Sequence, residues 1–255
     1  MDFSHAPFKD RRDAGRQLAA ALMHLKDSHP VVLGLPRGGV PVAYEVARAL
    51  EAPLDVLLVR KIGAPYFPEL GLGAVADGAH PQLILNENVV RQVNPPQGYI
   101  EEEKQRQLAE IERRRKLYCG DRPPVPLQGR TVLIVDDGIA TGGTMKTALA
   151  AVAKAGAREV IFAVPVAARE VLDTLCDSAN DGICLLVPRD FRAVSPYYAE
   201  FDQTSDEEVI ARLHDAAQEH NGSAQAEGND MHASSGIMTL PPSNPATPSD
   251  MPRKR

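Results

Sequence analysis

Apolar and polar positions along the chain fall into a repeated order: a continuous apolar run, a Gly-rich polar stretch, then apolar residues at helical spacing. Residues 31–35 (VVLGL) are one such run. Pro36, Arg37, Gly38 and Gly39 follow it, and Val42, Val46 and Leu50 then recur on one helical stripe. Residues 131–135 (TVLIV) repeat the order, leading into Asp136 and Asp137, a turn rich in glycine, and a helical pattern over 144–155. Further along, the pattern predicts a strand at 159–166, a helix at 168–176 and a strand at 183–187. Short continuous apolar runs mark strands buried on both faces, and their alternation with helices predicts an α/β protein with a doubly wound, mostly parallel sheet and right-handed connections.

The remaining stretches add elements around that sheet. Asp10 is placed to cap a helix running to about residue 26, with Leu18, Leu22 and Leu25 on one face, expected across the sheet edge. Residues 54–59 (LDVLLV) read as another apolar strand, followed by Arg60 and Lys61. Gly63, Pro65, Pro68, Gly71, Gly73 and Gly78 then make 62–78 too broken for a helix and too long for an ordinary connection, which predicts a functional lid loop. A short strand is expected at 82–86. Residues 97–118 read as a charged helix, acids first and bases last in accord with the helix dipole. Residues 122–127 (RPPVPL) make a stiff connector. Beyond 188, Phe191, Tyr197, Tyr198 and Phe201 cluster in a chain that is only 5% aromatic. Two readings stand side by side: a flat apolar surface for a planar ring, or an anchor for a last helix at 205–217. From 220 onward the chain has no aromatic residue and is rich in Ser, Pro, Gly and Asn, so one domain over 1–219 and a disordered tail over 220–255 are expected.

Composition narrows the function. The 255 residues are 44% hydrophobic, enough for a sizeable core, and the net charge of -6 argues against general nucleic-acid binding. A polyanionic ligand must therefore meet local cations. Cys119, Cys176 and Cys184 are odd in number and lack metal-ligand spacing, which predicts reduced thiols; His24 and His29 carry no ligand set around them. The longest apolar run, 160–168, is too short for a bilayer, and no basic-plus-apolar leader opens the chain. A soluble cytoplasmic protein without membrane or nucleic-acid partners is expected.

The chemistry concentrates after the strand at 131–135. Gly138, Gly142 and Gly143 let backbone N–H groups approach an anion, Thr141 and Thr144 add hydroxyls, and a helix N-terminus stands behind. This predicts a phosphate cup with two carboxylates at its lip, suited to a phosphorylated sugar because carboxylates accept from vicinal hydroxyls and hold Mg²⁺. Two look-alikes fail. A P-loop would need Lys where Thr144 stands, and the GLGAVA stretch follows no strong strand and opens no helix. A phosphohydrolase using the Asp pair as metal ligands lacks a third ligand nearby.

Residues 132–144 (VLIVDDGIATGGT) resemble the 5-phosphoribosyl-1-pyrophosphate (PRPP) signature of type I phosphoribosyltransferases. PRGG alone would be a plain tight turn, but one strand-helix unit before the cup it resembles the pyrophosphate loop of that family. The resemblance implies a parallel sheet of about five strands, a small hood near 188–204 and a mobile lid, and it allows a homodimer. It also implies a reaction: displacement of Mg-pyrophosphate from PRPP by a nitrogenous base. Asp136 and Asp137 would hold the ribose hydroxyls, directly or through Mg²⁺ and water; Gly138, Ile139, Ala140, Thr141, Gly142, Gly143 and Thr144 would hold the 5-phosphate. Arg37, Gly38, Gly39 and Lys61 would face the pyrophosphate, with Lys61 swinging in with the lid. Ala140 stands where hypoxanthine-guanine enzymes carry an Asp toward the purine, so the acceptor stays open. The rival of another class is a PRPP-binding regulatory protein without catalysis, although no helix-turn-helix segment precedes Asp10.

Overall fold

A computed structural model describes residues 6–78 and 81–233. Asp10 caps α1 (Arg11–Leu22), its carboxylate accepting from the Asp13 amide at 2.7 Å. A 3-10 segment (Met23–Ser28) follows, where one longer helix was expected. β1 (Val31–Gly34), α2 (Gly39–Leu50) and β2 (Leu54–Val56) make the first strand-helix-strand unit. Next come β3 (Val59–Ala64), β4 (Phe67–Ala76) and β5 (Gln82–Leu85), then α3 (Glu87–Val93), which the pattern did not predict, and α4 (Tyr99–Cys119). β6 (Thr131–Val135), α5 (Gly143–Lys154), β7 (Glu159–Val166), α6 (Arg169–Cys176) and β8 (Asp181–Leu186) complete the alternation. α7 (Asp206–Ala233) runs well past the expected end at 217, and residues 234–255 of the expected tail lie outside the described residues.

The central sheet has five parallel strands in the order β2-β1-β6-β7-β8. Its strands are apolar on both faces because helices cover both. Val32, Leu133, Val135 and Ile161 join the core under α1, α2, α4 and α7, while Val31, Val132, Ile134 and Phe162 join the core under α5 and α6. Each such fully buried side chain contributes about 1.5–3 kcal/mol. α1 lies on the first of these faces beside α2, not across the edge. A Cβ at Gly15 would stand 2.9 Å from the Val42 carbonyl, so the two helices touch backbone to backbone.

Strand order reverses between β1 and β6, and at such a switch point the loops leaving the carboxyl ends diverge and leave a crevice. Here the loop after β1 is residues 36–39 and the loop after β6 opens with the two acids. They are pressed together. A Cβ at Gly38 would overlap the Asp137 carboxylate, and one at Gly39 would come within 2.7 Å of the Val135 carbonyl and 2.9 Å of the Asp136 Cα.

The stretch expected as a lid loop is instead a β-hairpin. β3 and β4 pair antiparallel with irregular register around Ile62, Gly63 and Ala64, and β5 adds to β4. The glycines that read as loop punctuation serve close approach. A Cβ at Gly63 would stand 2.7 Å from the Pro68 carbonyl, and one at Gly73 would strike the Ile84 backbone, while Ile62 and Leu72 are fully buried. Arg60 and Lys61 therefore lie within a strand. Arg115 of α4 fastens the base of this hairpin: it donates to Asp77, just past β4, at 3.0 Å and to Asp55 of β2 at 2.8 Å. Asp77 in turn accepts from the Leu58 amide at 2.8 Å, and Asp55 from the Val125 amide at 3.0 Å.

Arg115→Met leaves buried Asp77 without its cation and Asp55 with only the more distant Arg122, 3.9 Å away, and should lower unfolding stability by about 3 kcal/mol. Urea titration reads this directly, and an unchanged midpoint would show that the network carries no stability. Gly39→Ala should destabilise by about 1–3 kcal/mol, because the atoms it meets are backbone and cannot rotate away. Gly143→Ala is the control: nothing lies within 4 Å of its Cβ, at the start of α5. It should be neutral or stabilise by up to about 1 kcal/mol.

Candidate functional site

β6 delivers Asp136 and Asp137 half-buried to the switch point. The Asp136 carboxylate accepts from the Asp137 amide at 2.9 Å. Asp137 is held from two sides: Arg11 Nε lies 2.7 Å from its Oδ2, and the Tyr198 hydroxyl donates to its backbone carbonyl at 2.6 Å. Burial pushes both carboxyls above the ordinary carboxylate range. The charge of Asp137 pushes Asp136 higher still, whereas Arg11 works against the rise at Asp137. Two acids so close in a partly dry place favour a cation or a set of hydroxyl donors between them.

Beyond the acids, the chain dips into the core and returns. Ile139 is buried, and its amide donates to the Val166 carbonyl at 2.9 Å, which pins the middle of the turn to the end of β7. Gly138 presses against Val194, and Gly142 turns with φ +75° against Val171 of α6, a conformation and a closeness that favour glycine. α5 then starts at Gly143 with no side chain capping it. Its first amides are left for a ligand, beside the exposed Thr141 and Thr144.

The expected cations are placed differently. Arg37 is half-buried, with Nη1 3.9 Å from Asp206 Oδ1 at the start of α7; Tyr118 also donates to that oxygen, at 2.6 Å. Lys61 donates to the Glu69 carbonyl within its own hairpin and lies 3.6 Å from the Glu69 carboxylate. It also lines a cavity of about 730 Å³ with Thr141, Gly143, Thr144 and Lys146. The fold thus brings Lys61 to the cup, and brings Gly38, Gly39, Asp136 and Asp137 together, as two adjoining halves. Ala140 is exposed at the rim.

The aromatic cluster after β8 resolves into two parts. Tyr198 is 1% exposed and packs between Phe8 at 5.3 Å and Phe201 at 4.9 Å, so it is core and anchors the N-terminal segment. Phe191 and Tyr197 stack at 5.8 Å and are half-buried. Sequence reading missed Arg11, Phe8, Lys146 and Asp206. Arg11 left one signal: a cation in the first turn of a capped helix opposes the dipole, and such a residue needs a tertiary partner.

No cluster of three or more His, Cys, Asp or Glu suited to a metal occurs among the described residues. The paired hard oxygens of Asp136 and Asp137 nonetheless fit Mg²⁺, which commonly takes one or two carboxylates and completes its shell with water and substrate phosphates.

Residues 9–184 match the phosphoribosyl transferase domain family. A Mycobacterium tuberculosis (H37Rv) protein named a putative phosphoribosyl transferase is 47% identical over 207 residues, 81% of this chain and 46% of its own. The chain thus spans about half the length of the curated relatives it matches. A ribose-phosphate pyrophosphokinase of Sulfurisphaera tokodaii is 40% identical over 73 residues, 29% of this chain and 23% of its own. The crystal structure of TT1426 from Thermus thermophilus superposes with a TM-score of 0.72 at 48% identity, covering 81% of this chain and 97% of that one. Matched over most of its parallel sheet and through both loops at the switch point, the chain belongs to the phosphoribosyl transferase domain family.

Proposed function

We propose that the protein transfers the phosphoribosyl group of PRPP to a nitrogenous base with release of Mg-pyrophosphate. The observation that carries this reading is the packing of the Gly38-Gly39 turn directly on Asp136 and Asp137, beside the uncapped start of α5. That arrangement offers amides to a phosphate, carboxylates to a sugar and a second backbone turn to a diphosphate within one crevice. Mg²⁺, held through Asp136 and Asp137 and the substrate's own oxygens, would neutralise charge on the leaving pyrophosphate.

The protein's own task is positioning. The C1–O bond to pyrophosphate breaks as the base nitrogen attacks, and the ribosyl carbon passes through an oxocarbenium-like state, so the groups that matter are those fixed before reaction. Gly142 to Thr144 hold the 5-phosphate at the helix start, Asp136 and Asp137 accept from the ribose hydroxyls, and Gly38 and Gly39 present backbone to the pyrophosphate. Arg37 reaches the pyrophosphate by leaving Asp206, a long pair that gives it up readily. Lys61 is released from Glu69 when the hairpin moves over the cup. A Mg²⁺-PRPP complex therefore meets one rigid wall and one adjustable wall.

Mixing the protein with Mg²⁺, PRPP and a panel of bases should release pyrophosphate with at least one of them. Asp136→Asn combined with Asp137→Asn should weaken PRPP binding by at least about tenfold in calorimetry, given that a hydrogen bond to a charged group is worth about 1.5–3 kcal/mol. Lys61→Ala should lower turnover about a hundredfold while weakening PRPP binding much less, as expected for a donor that meets charge mainly in the transition state. PRPP bound tightly with no release by any base would instead favour a regulatory protein, and equal affinity in the double variant would remove the acids from the site.

A further inference from the structure

The described N-terminal segment and the segment after β8 meet at the second acid. Residues 8 and 198 form a parallel bridge, and three backbone hydrogen bonds run along it: Phe8 N–H to the Tyr197 carbonyl at 3.1 Å, Ala199 N–H to the Phe8 carbonyl at 2.9 Å, and Glu200 N–H to the Lys9 carbonyl at 2.8 Å. This ribbon takes in part of the stretch expected to form a hood. Arg11 ties it to the site. Its Nε binds Asp137 at 2.7 Å, its Nη1 donates to the Asp202 carbonyl at 2.6 Å, and its guanidinium lies 3.8 Å from the Phe201 ring centroid. Both charged side chains are largely buried, at 13% and 15% exposure, and a planar fork engaged at two edges and one face has little freedom left.

We infer that Arg11 is a positioning residue that couples the hood to the donor subsite through Asp137, so that occupation of the ribose position and closure of the hood become one event. The inference rests on the reading of Asp137 as a ribose-binding acid. Opening the hood separates Asp202 and Phe201 from Arg11, which stays with α1, and Tyr198 from the Asp137 carbonyl, so Arg11 is left free to drift from Asp137. A donor that fixes Asp137 therefore raises the free energy of opening, and a closed hood tightens the donor by the same factor. No other described cation lies within salt-bridge distance of Asp137. The coupling should consequently depend on this one side chain. Lys at position 11 would keep the charge but lose the fork to Asp202 and the flat stack on Phe201.

Hydrogen exchange on the full chain with and without Mg-PRPP tests this. In wild type, donor should slow exchange in peptides of the cup (138–144) and, by about tenfold or more, at the ribbon amides of Phe8, Ala199 and Glu200. In Arg11→Met the cup should still be protected at saturating PRPP, while the donor-dependent slowing at the ribbon falls below about twofold. Arg11→Lys should fall between. A role confined to stability would alter ribbon exchange equally with and without donor. Equal donor-dependent slowing of the ribbon in wild type and Arg11→Met would overturn the inference. Absence of cup protection in wild type would overturn the PRPP reading beneath it. Should Arg11→Met not fold, Phe201→Leu removes the stacking face and leaves the ion pair; it should reduce the ribbon response to donor, and an undiminished response there would count against the coupling.

Discussion

The crevice at the switch point depends on how closely the loop after β1 approaches the end of β6. Two neighbouring parallel strands hold their backbones about 4.8 Å apart, and the turns beyond them diverge unless side chains are removed from between. Gly38 and Gly39 remove them. The Gly39 amide then bonds the Leu35 carbonyl at 3.0 Å, Leu35 bonds the Val135 carbonyl at 2.9 Å, and the turn continues the sheet's own hydrogen bonding past the strand end. This brings backbone polar groups of one loop against the carboxylates of the other. It also places two acids in a partly buried setting, where burial raises both carboxyls and the charge of Asp137 raises Asp136 further. Arg11 works against the effect of burial at Asp137, and under the proposed function a Mg²⁺-bound phosphorylated sugar would do so further.

Much of this was legible in the chain because the pattern and the chemistry coincide. The runs at 31–35 and 132–135 carry no polar side chain since helices cover both sheet faces, and polar groups at their carboxyl ends could only face the crevice. The same logic failed at 62–78. There, glycine and proline density was taken as loop character, yet Gly63 and Gly73 let strands cross closely and the buried Ile62 and Leu72 hold the hairpin to the core. Alternation was hidden because one face of that hairpin carries small residues. α3 was missed for its brevity: it is capped by Asn86, whose side chain accepts from the Val89 amide, a signal too short to separate from a turn. Arg11 could not be found from periodicity at all, since its partners Asp137, Phe201 and Asp202 are remote in sequence.

The hairpin and the ribbon that joins residues 8–9 to 197–200 border the two halves of the crevice and are built differently. The hairpin is fixed at its base by a buried Asp55-Arg115-Asp77 network, while its tip exposes Tyr66 at 93% and Phe67 at 71%. Stiff attachment with a bare tip suits the flap that the proposed function calls for, because a hinge must return to one geometry while the far end makes its contacts only when closed. The ribbon of residues 8–9 and 197–200 has the reverse construction: Phe8 and Tyr198 are buried, and Arg11 beside it pairs with Asp137. Under the proposed function, Lys61 on the hairpin would serve charge that appears late in the reaction, and Arg11 would serve an acid that must be placed before it begins. The division follows from where each element enters the sheet. The hairpin leaves from the edge strand β2, whereas α1 packs against α2 backbone to backbone at Gly15, one turn from Arg11, which fixes the helix that carries it.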